Sequence, residues 1–341
     1  MINIPIALDA MGGDFAPESI IKGADFALSS LICSDNYKVH FSIYGQEDKV
    51  MPILLKYKKL RENSTFIHVE DVVLASDKPS FAVRHRKQSS MARAIDDVKK
   101  GIVSGAISSG NTGALMAISR FILGTLPNID RPAITTALPS IDKDFVLLDL
   151  GANVECNADS LFQFAVMGNA FAKAVLNRKN PRVALLNVGH EEIKGTDTIR
   201  EAFSLLKKFE SGINFCGYVE ANDVLKGDID VVVVDGFSGN VMLKIMESLS
   251  ENIFTLLKKS IDYSLATRFA GLLLKFQLKK EFYRFNPKIR NGAMLLGLNG
   301  VIVKSHGNAD SIAFAHAIRV AVNAIYNNIN VKIASELNSV E

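Results

Sequence analysis

The run Ser108-Ser109-Gly110-Asn111-Thr112-Gly113-Ala114 is dense in small residues and hydrogen-bond donors, with apolar stretches on both sides. Residues 102–107 predict a short strand and residues 115–122 a helix, which makes the run a strand-to-helix turn. A turn of Gly, Asn and Thr at such a junction leaves backbone N–H groups unpaired at a helix N-terminus, a ready place for phosphate. Taken alone, an ordinary turn with a Ser/Thr cap is the stronger reading. Recurrence changes the balance. Residues 9–14, 149–153, 187–195 and 235–240 are similar small, polar runs behind apolar ones.

Cations able to reach such loops are present. Lys194 lies in a Gly-flanked loop, and Arg84, His85, Arg86, Lys87 and Arg93 surround a helix start at Ser89-Ser90. Arginine would hold phosphate through paired hydrogen bonds, lysine as a point charge. For residues 84–87 alone, a solvated charged turn is the better reading. Other chemistries find no complete motif. No two glycines are separated by a single residue, so the dinucleotide fingerprint G-x-G-x-x-G is absent, as is G-x-x-x-x-G-K-[ST]. His190-Glu191-Glu192-Ile193-Lys194 starts like a zinc-binding H-E-x-x-H but ends on lysine. Gly236-Phe237-Ser238-Gly239 falls one residue short of a nucleophile elbow. His306 and Asp310 stand four apart, a weak hint of an acid–base pair. Neither a catalytic triad nor a metal site can be assembled. Cys33, Cys156 and Cys216 lack metal-ligand spacing and read as reduced thiols of a cytosolic protein.

Strand-like runs at 4–8, 39–44, 65–69, 102–107, 134–138, 145–150, 183–188, 215–219 and 231–234 alternate with helical periodicity. Several are almost continuously apolar, as in a parallel sheet covered by helices on both faces. In open α/β sheets the loops after strand carboxyl ends line the ligand crevice, so the five polar runs are expected to converge. No linker or repeat interrupts the pattern, and a single α/β domain over 1–341 is the simplest organisation. A helical hairpin at 249–290 embellishes it. There Leu265, Phe269, Leu272, Leu273 and Phe276 share one helix face, flanked by Lys275, Lys279 and Lys280.

The 341 residues carry a net charge of only +3, yet from Lys258 to Arg290 nine basic residues oppose two acidic ones. The positive charge is local, which suggests a local anionic partner. The stripe could pack on its own core or a dimer interface, or rest on an anionic membrane surface or an acidic protein. Hydrophobic residues at 48% support a sizeable core. No stretch approaches the ~20 apolar residues of a membrane span. The opening Met1-Ile2-Asn3-Ile4-Pro5 has no basic leader, so a cytoplasmic location is expected.

Asp9-Ala10-Met11-Gly12-Gly13-Asp14-Phe15-Ala16-Pro17 resembles the opening signature of the bacterial acyl-ACP:phosphate acyltransferases, the PlsX family. Matches follow in order at Ser89-Ser90-Met91, Ser109-Gly110-Asn111-Thr112-Gly113-Ala114, Arg131-Pro132-Ala133 and Asp149-Leu150-Gly151-Ala152-Asn153. They continue at Asn187-Val188-Gly189, Lys194-Gly195, Asp235-Gly236-Phe237-Ser238-Gly239-Asn240, Leu295-Leu296-Gly297 and His306-Gly307. The resemblance implies a three-layer α/β/α sandwich similar to isocitrate and isopropylmalate dehydrogenases and to phosphotransacetylase, assembled as a homodimer. It implies that acyl-ACP and inorganic phosphate give acyl-phosphate and free carrier protein, with no cofactor and no nucleic acid. The product would pass to a membrane acyltransferase that acylates glycerol 3-phosphate, toward phosphatidic acid in phospholipid synthesis. The resemblance also implies peripheral membrane association.

If phosphate is the nucleophile, the protein needs no activated Ser or Cys; it must position phosphate and stabilise an oxyanion. Asn111, Thr112 and Gly113 are expected to cradle phosphate, with Lys194 neutralising its charge. Asn153 and Asn240 are candidates for hydrogen bonds to phosphate or thioester oxygen, and Asp9, Gly12, Gly13 and Asp14 join the substrate-binding set. His306 could protonate the leaving thiolate. Arg268, Leu272, Leu273, Lys275, Phe276, Lys279 and Lys280 are expected to touch membrane or carrier protein. Two other classes remain open: a nicotinamide-dependent decarboxylating dehydrogenase and a non-catalytic carrier- or lipid-binding regulator.

Overall fold

The computed structural model describes residues 2–209 and 212–338. Strands β1 (Ile2–Asp9), β2 (Tyr37–Gly45), β3 (Ser64–His68), β4 (Gly105–Ser108), β5 (Ala133–Pro139) and β6 (Asp144–Leu148) come first. With β7 (Arg182–Leu186), β8 (Asn214–Val219), β9 (Val231–Val233), β10 (Ala293–Leu296) and β11 (Val301–Lys304) they form one sheet in the order 3-2-1-4-11-10-5-6-9-7-8.

Side-chain alternation dictates the layers. Along β1, Ile4, Ile6 and Leu8 enter one core and Ala7 the other; along β6, Val146 and Leu148 oppose Phe145 and Leu147. A sheet apolar on both faces needs helices on both. Helices α1 (Glu18–Phe26), α2 (Glu47–Leu54) and α3 (Lys58–Glu62) cover the first core together with α7 (Ala158–Val175), α8 (Asp197–Lys208), α12 (Ser311–Tyr326) and α13 (Ile329–Asn338). The second core is covered by α4 (Pro79–His85), α5 (Ser90–Lys99), α6 (Thr112–Leu123), α9 (Ala221–Val224) and the start of α10 (Gly236–Ile261). This is the three-layer α/β/α sandwich that the sequence implies.

Strand direction explains where the loops meet. Pairing is antiparallel at β11–β10, β10–β5 and β5–β6 and parallel elsewhere. One row of the sheet runs through Ile107, Val303, Met294, Thr135, Leu148 and Val233. Strands β4 and β11 reach this row from one side and end one residue past it; β6 and β9 reach it from the opposite side and end on it. Two oppositely directed sets of strands therefore release their carboxyl-terminal loops at one latitude.

Several sequence expectations shift at their edges. Ile102 and Val103 do not enter β4, because their N–H groups close onto Asp97 O at the end of α5. Helix α6 starts at Thr112, ahead of the expected Leu115, because Asn111 caps it. Strands β10 and β11 were not expected at all; with four residues each, they are too short to show a period. The hairpin is longer than expected. Its first helix is α10 itself, from Gly236, and its second is α11 (Leu265–Phe282), joined by ring contact of Phe254 and Phe282 at 5.6 Å. Leu265, Phe269, Leu272, Leu273 and Phe276 are exposed, Phe276 at 92%, so the stripe does not pack on the chain's own core. Arg268, Lys275 and Lys280 are exposed beside it, and the Lys279 side chain lies outside the described residues. Among the described residues no helix is long and apolar enough to cross a membrane.

Candidate active site

A buried carboxylate ties the loops together from behind. Asp9 Oδ1 accepts hydrogen bonds from Ser90 Oγ at 2.6 Å and Met11 N–H at 3.2 Å, and Oδ2 accepts from Ser108 Oγ at 2.6 Å. Burial pushes the Asp9 pKa up, against those hydrogen bonds. Ser108 Oγ also accepts from Gly110 N–H at 3.0 Å, which joins the loop after β1 to the one after β4. Only glycine allows that approach, since a Cβ on Gly12 would sit 2.6 Å from Gly110 N. Gly13, at φ +102, would place a Cβ 2.8 Å from Ser109 Cβ, and Asp14 N–H reaches Gly307 O at 2.8 Å. Asp9, Gly12, Gly13 and Asp14, expected to bind substrate, thus form the supporting wall and do not line the cavity described below.

Two asparagines need the same correction. Asn111 Oδ1 caps α6 by accepting Ala114 N–H at 3.0 Å, while Nδ2 donates to Ala75 O and Asp77 O at 2.9 and 3.0 Å. The side-chain amide has both hydrogens committed, so Asn111 positions the helix start rather than holding phosphate through its side chain. Asn153 Nδ2 is committed likewise, to Pro132 O and Asp149 Oδ2, both at 2.9 Å. Asp149 also accepts the N–H groups of Ile134, Gly151, Ala152 and Asn153, which freezes the loop after β6. The first turn of α10 lies backbone-to-backbone on that loop. A Cβ on Gly239 would fall 1.9 Å from Asp149 O, and one on Gly236 2.5 Å from Asn153 O. That approach explains both glycines of Asp235-Gly236-Phe237-Ser238-Gly239-Asn240 and brings Asn240 to the site.

The cavity occupies about 240 Å³ between α10, the start of α6 and the central strands. Of the expected residues, Thr112, Asn240 and His306 line it together; Gly113 lines an adjoining groove that shares Thr112. Two charged groups there went unrecognised in the sequence. Lys304, only 9% exposed, donates from Nζ to Ser109 O at 3.1 Å and to Ser305 O, leaving one of its three hydrogens free. Burial pulls its pKa down to about 8, although the charges of Asp9 and Asp14 resist. Its sequence signal was a lysine closing the apolar run Val301-Ile302-Val303 just ahead of His306. Glu247, on the fourth turn of α10, approaches His306 Nε2 at 3.3 Å and accepts from Lys244 Nζ at 2.8 Å. Burial raises the Glu247 pKa, but the hydrogen bonds from His306 and Lys244 outweigh it and hold the group down at about 2. Asp310, four residues from His306, instead caps α12 and pairs with Lys288. Leu138, Pro139, Leu150, Leu243, Met246 and Phe285 add apolar surface to the same lining.

Lys194 stands elsewhere. It is exposed in the loop between β7 and α8 and does not line this cavity, and the whole run 187–195 stays outside it. Its place among the loops is taken by residues 304–307 after β11. Arg86 is committed to Asp71 at 2.8 Å and Asp77 at 3.0 Å, which leaves Arg84 and Lys87 as the exposed cations of the cluster at 84–87, and none of the four lines this cavity.

A family model described as "Fatty acid synthesis protein" matches residues 4–332. The chain belongs to that family. It is 64% identical over 338 residues to a phosphate acyltransferase of Ehrlichia ruminantium (strain Gardel), covering 99% of this chain and 98% of that protein. It is 60% identical over 340 residues to that of Wolbachia pipientis wMel (99% and 98% covered), and 54% identical over 335 residues to that of Anaplasma phagocytophilum (strain HZ) (98% and 97%). The family is thus one of acyltransferases. The fold is also that of a phosphotransacetylase from Streptococcus pyogenes, with a TM-score of 0.64 at 16% identity, covering 95% of this chain and 94% of that one. A branched-chain phosphotransacylase from Enterococcus faecalis V583 gives 0.60 at 14% identity, covering 95% and 99%.

Proposed function

We propose that this protein transfers an acyl group from the thioester of acyl-ACP to inorganic phosphate, giving acyl-phosphate and the free carrier thiol. The observation that carries the reading is one cavity whose lining combines Lys304 and Thr112, the first residue of α6, with apolar side chains. A lysine and a helix N-terminus suit a small anion. The apolar side chains suit the acyl chain. The names of the curated relatives support the same reaction.

An oxygen of hydrogen phosphate attacks the thioester carbon, the C–S bond then breaks, and the sulfur leaves as thiolate. The proton that hydrogen phosphate gives up equals the one the thiolate takes, so no outside acid or base is consumed. With Nε2–H directed to Glu247, His306 keeps Nδ1 to carry that proton between the two. Lys304 and Thr112 hold the phosphate, and Asn240, whose amide has no hydrogen-bond partner among the described residues, is placed to stabilise the tetrahedral oxyanion. No metal or cofactor enters this scheme.

The reading includes a homodimer. Because Lys194 lies outside the cavity of its own chain, its part in neutralising phosphate would come through the second copy. It also includes peripheral binding to an anionic membrane through the exposed stripe and flanking cations of α11, and delivery of acyl-phosphate to a membrane acyltransferase acting on glycerol 3-phosphate. The deciding assay incubates the protein with acyl-ACP and phosphate and traps acyl-phosphate with hydroxylamine. Phosphate-dependent acyl hydroxamate is the expected result; carrier release without it would sink the proposal.

A further inference from the structure

Thr112 is exposed at the start of α6, and an open groove that no function yet uses leads away from it. A groove follows α6, whose residues Gly113, Met116, Ala117 and Arg120 fall on one helix face at i, i+3, i+4 and i+7. Val83 of α4 and Ala152 form its other side. The inner end is Thr112, which belongs to both groove and cavity, and the outer end is Phe121, which is 66% exposed. At 1.5 Å per residue the path from Thr112 to Arg120 is roughly 12 Å long. It is mostly apolar, narrow in chemistry, and open to solvent along its length.

The outer end is positively charged. Arg120 lines that end and reaches only the backbone oxygen of Asp130, at 3.4 Å, while Lys87, and Arg84 next to Val83 on α4, are exposed and form no ion pair among the described residues. Beyond Phe121 lies a second depression that includes Lys87 and Arg93, where Arg93 Nε is buried with no partner among the described residues. The nearby acids offset this field only in part: Asp71 and Asp77 share Arg86, and Asp96 and Asp97 share Lys100, an excess of two carboxylates against the four cations Arg84, Lys87, Arg93 and Arg120. An exposed aromatic that shares its two depressions with Lys87, Arg93 and Arg120, at the far end of a groove leading to Thr112, is complementary to an acidic protein that carries its cargo on a long arm.

We infer that the acidic carrier protein docks on the α4–α6 face around Phe121 and threads its thioester arm along the α6 groove to Thr112. The inference rests on the acyl-ACP reading above, and it leaves the basic hairpin to a different partner. The test measures binding of fluorescently labelled holo-carrier by anisotropy, alongside turnover, in the full-length protein. Arg84→Glu with Lys87→Glu should weaken carrier binding at least tenfold at low salt and flatten its salt dependence, with the KM for phosphate unchanged. Lys275→Glu with Lys280→Glu, on the hairpin, should bind carrier like the wild type. Wild-type affinity in the first variant, or a loss confined to the second, would overturn the docking face. A wild-type protein that binds carrier but makes no acyl-phosphate would refute the reaction while leaving the docking face to stand on the binding data.

Discussion

His306 Nε2 lies 3.3 Å from Glu247 Oε1, which links the loop after β11 to the fourth turn of α10 across the cavity. The carboxylate fixes which imidazole nitrogen carries hydrogen, so Glu247 acts through His306 as a positioning residue. His306→Ala should lower kcat about 100-fold or more, and Glu247→Gln about 10-fold with a displaced pH profile. Equal kcat and an unmoved profile in Glu247→Gln would remove its role. The folded Glu247 value of about 2 lies below its ordinary 4.5, so its contribution to stability is present above that ordinary value and fades as pH falls toward 2.

Lys304 predicts a pH limit on phosphate binding. With its pKa near 8, the charge that would hold phosphate disappears as pH rises through that value, and the KM for phosphate should climb. Lys304→Met should raise that KM roughly 10- to 100-fold and abolish the climb. The same group affects folding with the opposite trend. Its folded value lies below the ordinary 10.5, so the unfolded chain binds more protons between the two values. Wild type should therefore gain stability relative to Lys304→Met as pH rises through that window, measured by urea unfolding.

Much of the fold was legible because the chain repeats one physical signal. Apolar runs with residues such as Ile6 and Ala7 facing opposite cores announce a sheet buried on both sides. Gly236 and Gly239 read only as part of a small polar run after an apolar one; their close approach to Asn153 O and Asp149 O shows in the structure alone. The site was less legible because side-chain direction is set by tertiary neighbours. Nothing in the spacing of Asn111 or Asn153 says that their amides are committed to Ala75, Asp77, Pro132 and Asp149. Nor could the pairing of His306 with Glu247 be found, since 59 residues separate the two and the nearer Asp310 offered a local alternative. Lys304 was hidden in a strand of four residues.

Lys194 gives a test of assembly. Lys194→Ala should reduce turnover about 100-fold, the loss typical of removing one charge stabiliser. If the residue serves the partner's cavity, mixing Lys194→Ala and His306→Ala chains under exchange conditions should restore activity, because some dimers then contain one intact site. No recovery despite demonstrated subunit exchange would exclude a shared site.

The hairpin should report on lipid. Lys275→Glu with Lys280→Glu should weaken co-sedimentation with phosphatidylserine vesicles at low salt, by about 1 kcal/mol per charge removed near the surface. Unchanged sedimentation would return the exposed stripe to a role between copies of the chain.

Helix α10 spans 26 residues without interruption. At 1.5 Å per residue it is a rod roughly 39 Å long. Asn240, Lys244 and Glu247 occupy its inner half and Ile261 its far tip. Ile261 therefore lies roughly 21 Å along the rod beyond Glu247, so one helix carries both a wall of the site and the far tip of the hairpin.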